Sequence, residues 1–273
     1  MLFLEFGFEK LLSKKLASAL VILLVSSMLS SCVTATTGGF MADASEERTA
    51  ADYIQLVLGY FDNNDMPGGR RHVNNALDID NRITDCYIFL AMVFQREGDL
   101  DLADSNFLRA ISLDQDNSRA RYNYSAMLFS QEHFRESYEQ LERVASNASY
   151  EGRSLVFEGL GRSALRLGRQ EDAKAAFQRA LQLNENLFIA PLELALVYFD
   201  QQDYPLARQY YQNYLTTIAF LQLPHTPRAL LASNKIEGYF QNVEFVENFS
   251  LVLTTRYPTS PEFQTFQRLS DAS

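Results

Sequence analysis

Five small residues, Gly69, Ala103, Ser137, Ala173 and Ala207, recur along the chain at intervals of about 34 residues. Each stands five positions after the first residue of a polar turn. A small side chain repeated at one phase marks the place where paired helices come closest, and chance apolar periodicity does not place it five times. The unit is clearest over residues 84–117. There Tyr87, Leu90, Ala91 and Phe94 fall at spacings of three and four, one stripe of a helix. Gly98-Asp99 interrupts that helix, and Leu102, Ala103, Phe107 and Ala110 form a second stripe. Such a pattern specifies helix–turn–helix pairs in which large and small residues interlock.

Further copies align at 50–83, 118–151, 154–187 and 188–221, with a weaker one at 227–260 after an insertion that carries Pro224. In the first copy Pro67 sits where a missing N–H is tolerated, and Gly68-Gly69 weakens the start of the second helix. The period is that of the tetratricopeptide repeat (TPR). The expected fold is an all-α TPR superhelical solenoid of about six helix–turn–helix repeats over 50–260, with 261–273 as a C-terminal tail.

The N-terminus reads as a targeting segment. Lys10, Lys14 and Lys15 precede an uncharged run over 16–29, which is too short to span a bilayer. Ser30 and Ser31 stand directly before Cys32, an arrangement that resembles the bacterial lipobox. The resemblance implies removal of 1–31 and a covalent lipid on Cys32, the only prosthetic group expected. An ordinary signal with an incidental Cys, or an uncleaved anchor, are the alternatives. Several acyl chains on one residue exceed what stable anchoring needs. Val33, without an Asp after the Cys, resembles outer-membrane sorting. Residues 32–49, rich in Thr, Gly, Ala and Ser, are expected to form a flexible tether. Cys86 is then left alone, and it reads as a small packing residue.

Catalytic chemistry has little support. His72, His133 and His225 are scattered, and neither His-Glu-x-x-His nor Cys-x-x-Cys spacing occurs, so no metal site is expected. Gly159-x-Gly161-x-x-Ala164 loosely matches a dinucleotide fingerprint, but it lies within a helix at packing phases, with no strand before it. The net charge of −10 makes nucleic acid a poor partner. The chain is expected to be a monomer and not an enzyme.

First helices line the concave face of a TPR stack. Residues one or two positions off the packing stripe are Ile54, Leu58 and Phe61 in the first repeat, and Ile88, Met92, Tyr122 and Phe129 in the next two. Leu192, Leu196 and Phe199 follow in the fifth. Mostly large and apolar, they are expected to form a partner-binding groove for an amphipathic helix or an extended peptide, the alternative being that neighbouring repeats or the C-terminal segment cover them. Ile54, Leu58 and Met92 stand where carboxylate-gripping TPR clamps carry Lys and Asn.

Tyr53-Ile54-Gln55-Leu56-x-Leu58-Gly59-Tyr60, Ala120-x-x-Asn123-Tyr124, Ala180-Leu181-Gln182-Leu183-Asn184 with Leu192-Glu193-Leu194-Ala195, and Tyr257-Pro258-x-Ser260-x-Glu262 complete the pattern. Together with the lipobox, the chain resembles the type IV pilus biogenesis/stability lipoproteins, pilotins of the PilW/PilF type. Tyr124-Ser125 departs from the Tyr-Gly usual there. The resemblance implies a non-enzymatic lipoprotein on the periplasmic face of the outer membrane. Such a protein binds the type IV pilus secretin subunit and promotes its localisation and multimerisation. A periplasmic TPR adaptor for peptidoglycan hydrolases or for outer-membrane protein assembly is the other reading.

Overall fold

Helices follow one another in antiparallel pairs throughout the computed structural model, which describes residues 65–271 together with Gly59 and Asn63. These lie within one unit, Tyr53–Ser273. The signal segment, Cys32, the tether and the groove residues Ile54, Leu58 and Phe61 fall outside the described residues. Helix α1 (Met66–Ile79) is the second helix of the first repeat. The pairs that follow are α2 (Thr84–Glu97) with α3 (Leu100–Leu113), α4 (Ser118–Ser130) with α5 (Phe134–Ala145), and α6 (Arg153–Arg166) with α7 (Gln170–Leu183). Then come α8 (Ile189–Asp200) with α9 (Tyr204–Leu221), and α10 (Pro227–Tyr239) with α11 (Val243–Arg256). Residues 261–271, expected as tail, form a further helix, α12 (Pro261–Asp271), which packs on α10.

One turn closes every described pair. Its first helix ends in a left-handed residue: Gly98 and Gly168, with φ of 84° and 75°, or Glu132, Gln202 and Gln241, with φ of 64°, 64° and 57°. The next N–H then reaches back to a carbonyl five residues earlier, satisfying one of the orphan acceptors of the helix end. Asp99 donates to Phe94, His133 to Leu128, Arg169 to Ala164, Asp203 to Tyr198 and Asn242 to Glu237, all at 2.8–3.0 Å. Asp65, Asp99 and Asp203 then cap the second helices, accepting from Gly68, Leu102 and Leu206 N–H at 2.9, 3.3 and 3.2 Å.

All five recurrent small residues are buried. A Cβ on Gly69 would stand 2.4 Å from Phe89 Cζ, so the glycine is what lets α1 and α2 meet. One turn further along each second helix, Val73, Phe107, Leu141, Phe177 and Tyr211 fill the inter-helix space. Burying each of these stabilises by roughly 1.5–3 kcal/mol. Phe177 lies over Gly161, where an added Cβ would be 2.6 Å from the ring. Gly161 is thus a contact point for a ring and takes no part in a phosphate loop.

The packing stripe of α2 differs from the one expected. Cys86, Ile88, Phe89, Ala91 and Val93 are buried, whereas Tyr87, Leu90 and Phe94 are half-buried. Tyr87 instead donates to Asn81 O (2.8 Å) beneath Arg109. Cys86 sits in the α1–α2 core. Burial, aided by Asp85 and Asp80, pushes its thiol up to about 12, which removes it from thiolate chemistry.

Candidate functional site

The first helices α2, α4, α6, α8 and α10 touch one another in succession as well as their own partners, forming a continuous inner layer. Polar staples tie its rungs together. Arg119 on α4 pairs with Asp85 on α2 at 2.5 Å. Glu158 on α6 accepts the Ala190 N–H at the start of α8 (3.1 Å). Glu193 on α8 takes Arg228 of α10 in a two-pronged contact at 2.7 and 2.6 Å.

Between α4, α5 and α6 this layer opens into a cavity of about 240 Å³. Tyr122 and Phe129, two of the expected groove residues, form its walls, and Leu155 and Arg162 stand on the α6 side. The floor is serine-rich but internally satisfied. Ser137 Oγ donates to Ser125 O at 2.9 Å and lies 3.3 Å from Ser163 Oγ, while Ser125 Oγ donates to Tyr122 O at 2.6 Å. Small side chains at Ser125, Ala126 and Gly159 create the space. The arrangement offers aromatic walls to apolar anchors, with one buried carboxylate, Glu158, at the side. Burial pushes the Glu158 carboxyl up; the Ala190 N–H and Arg162 pull it back, and Glu193 pushes it further up. Arg162 rests over the Phe129 ring at 4.5 Å.

The remaining expected groove residues divide. Ile88 belongs to the α2–α3–α4 core at 1% exposure, and Leu192 to the α8–α9–α10 core at 5%. Both therefore leave the groove list. Each first helix is enclosed by its partner and by neighbouring repeats, which widens its buried arc beyond a single stripe. Met92 is half-buried, its sulfur 3.9 Å from Asn123 Nδ2. Leu196 and Phe199 are half-buried on α8, with Phe199 edge-on to Tyr204 (5.2 Å) and to Tyr239 (6.4 Å). Tyr239 stacks on Tyr204 at 3.7 Å and remains exposed. Among the described residues, no three His, Cys, Asp or Glu side chains group as a metal site, and no helix is long and apolar enough to cross a membrane.

The sequence matches the tetratricopeptide repeat family over residues 84–117 and 159–220. It is 31% identical over 250 residues to the type IV pilus assembly protein PilF of Pseudomonas aeruginosa, covering 91% of this chain and 97% of that one. The chain belongs to the PilF family. Its structure superposes on that of P. aeruginosa PilF with a TM-score of 0.76, covering 82% of this chain and 98% of the other. PilW, a widely conserved type IV pilus biogenesis factor, shares the fold at 20% identity, with a TM-score of 0.68 and coverage of 81% and 99%. Within this PilF-family stack, Ser125 of the Tyr124-Ser125 departure helps to floor the cavity, and its hydroxyl, which a Gly would lack, donates to Tyr122 O (2.6 Å). Glu158 and Glu193 escaped the sequence reading. The available signal was a carboxylate set in an apolar stretch of a first helix, Leu155-Val156-Phe157-Glu158-Gly159-Leu160, repeated 35 residues later in Pro191-Leu192-Glu193-Leu194-Ala195.

Proposed function

We propose that this protein is a pilotin: a non-enzymatic lipoprotein, held to the outer membrane by a lipid on Cys32, that grips a segment of the type IV pilus secretin. By carrying the subunit to the membrane it promotes secretin multimerisation and so pilus biogenesis. Membership of the PilF family supports the pilus assignment. The observation that carries the binding assignment is the aromatic-walled cavity between α4 and α6, on the layer of first helices that TPR stacks present to partners. In this reading, apolar anchors of the client enter between Tyr122 and Phe129, the inner layer orients it, and the lipid supplies the address.

The test is the amount of heat-resistant secretin multimer on an unboiled gel in cells lacking the gene, restored with wild type or with Ala126→Trp. Ala126 is exposed on the cavity wall, so a Trp there fills the site without removing a core group. Wild type should restore the multimer, and Ala126→Trp should fall short by about tenfold or more, the loss expected on blocking a hot spot, with an unchanged helical spectrum. Multimer that persists without the gene would end the pilotin reading and turn attention to a peptidoglycan-hydrolase or assembly adaptor. Cys32→Ser should leave the stack folded but release it from the membrane fraction.

A further inference from the structure

Six arginines of the described stack, at 70, 119, 166, 169, 208 and 228, each have a carboxylate within ion-pairing distance. Arg121 has none, although it is more buried than any of them, at 7% exposure. Its Nε donates to the Gln115 carbonyl (2.8 Å) and its Nη1 to Gln140 Oε1 (2.5 Å), both neutral acceptors. Nη2 has no hydrogen-bond partner among the described residues. A guanidinium does not discharge in a protein, so a buried one calls for negative charge. The surroundings oppose it instead. Burial, and after it the like charge of Arg143, pull the Arg121 guanidinium below the usual arginine range, with Asp116 and Asp114 offsetting part of this. Arg121 also lies in the first turns of α4, near the positive end of the helix. Asp114 is turned away, accepting from Asp116 N–H and Asn117 Nδ2, each at 3.1 Å.

Arg121 and Arg143 face a cavity of about 460 Å³ where the α3–α4 turn, the start of α4 and the end of α5 meet. It shares no residue with the cavity of the inner layer. Ser118 lines it too; its Oγ accepts from Asn147 Nδ2 at 2.9 Å, which leaves the hydroxyl proton free to donate. We propose that this cavity is a carboxylate-binding site, with Arg121 Nη2 and the Arg143 guanidinium as its cationic arms and the Ser118 hydroxyl as a third donor. A planar carboxylate matches the guanidinium fork. Asp116 on the rim and Asp114 behind it reduce the local positive charge, which suits a monoanion better than a phosphate dianion. The carboxylate belongs to a peptide, as an acidic side chain or as a chain end, and the site gives the protein a second handle on an acidic partner.

The test is an NMR titration of the 15N-labelled full chain at low ionic strength, reading the Arg121 Nε–Hε signal and the Ser118 and Asn147 amides. The probes are acetate, inorganic phosphate and chloride, then Nα-acetylglutamate amide for a side chain and N-acetylalanine for a chain end. Acetate should shift all three signals saturably, and chloride at matched ionic strength should not. Tighter binding of one peptide mimic than the other identifies the source. Arg143→Gln, which alters an exposed side chain, should weaken acetate by roughly tenfold, as loss of a charge-assisted bond implies; Arg143→Lys should recover part of it. Shifts that never saturate, an equal response to chloride, saturation by phosphate alone, or an unchanged affinity in Arg143→Gln would each overturn the site.

Discussion

At Glu158 two demands meet in one side chain. The carboxylate wall of the cavity is useful to a ligand only if it stays in place, and the Ala190 N–H that fixes it also ties α6 to α8. Burial makes its charged form costly, so the folded carboxyl titrates above its ordinary 4.5. A raised folded value contributes stability that is complete below the unfolded value and is lost as pH rises through the folded one. Glu158 therefore works against the stack at neutral pH and not in acid. Glu158→Gln keeps an oxygen for the Ala190 N–H while removing the charge. It should melt roughly 2–4 °C higher than wild type at pH 7, as a change of about 1 kcal/mol would produce in a chain of this size. The two proteins should converge near pH 4. Thermal melts followed by circular dichroism across that range would show it, and a gain that persists unchanged into acid would mean that the charge is not the cause.

Between elements, the junction of the fifth and sixth repeats depends on a fully buried carboxylate. Glu237 on α10 has 0% exposure and takes both prongs of Arg208 from α9 (3.1 and 2.8 Å), with Gln212 at 3.3 Å and Asn242 at 3.0 Å. Breaking a buried pair from one side strands a charge, whereas replacing both members does not. Arg208→Ala should cost about 3 kcal/mol in urea unfolding, and Arg208→Met with Glu237→Leu should regain most of that. Equal losses from the single and the double variant would refute the stranded-charge account. None of this network was legible in the sequence, because charged residues on helices usually lie on solvated faces. The helix pairs were legible because each second helix is pinned at one phase by a small residue, from Gly69 to Ala207. The expected groove fared less well. Tyr122 and Phe129 do flank a cavity, but Ile88 and Leu192 are core. Counting positions from an assumed stripe fails when Tyr87 turns out to face Asn81 and Arg109, because the stripe itself then shifts by one residue. The helix at the end of the chain was not legible for a related reason. Residues 261–271 lack a partner helix in the repeat pattern, so nothing in the period announced α12.

Over the described stack, the core is a series of separate clusters, each shared by two or three successive helices, as expected of a quasi-one-dimensional solenoid. Local stability then follows how much each pair buries against two neighbours. The middle is rich: α8 alone buries Ala190, Pro191, Leu192, Glu193, Leu194, Ala195 and Val197, and α6 and α7 meet through Phe177. The C-terminal end is poor. Leu253 is the only buried residue of α11, while its Val243 and Leu251 are 61% and 62% exposed. What holds that end is a mixture of half-buried rings and polar contacts: Phe245 packs on the α8–α9–α10 core, Phe249 lies 4.9 Å from the His225 ring, Tyr257 donates to the His225 carbonyl (3.0 Å) and Ser250 Oγ to Asn234 Oδ1 (2.7 Å). Opening α11 and α12 thus exposes half-buried rings and one fully buried leucine, while opening α6 to α9 exposes wholly buried rings such as Phe177 and Tyr211. Native-state hydrogen exchange should therefore be graded, with amides of α11 and α12 exchanging at least about tenfold faster than those of α6 to α9, a difference of roughly 1.4 kcal/mol or more in opening free energy. Tyr257→Phe should steepen the gradient at its C-terminal end and leave α6 to α9 unchanged, because only nearest neighbours are coupled. A uniform profile, or a Tyr257→Phe effect that spreads evenly through the stack, would show the repeats to be one cooperative block instead.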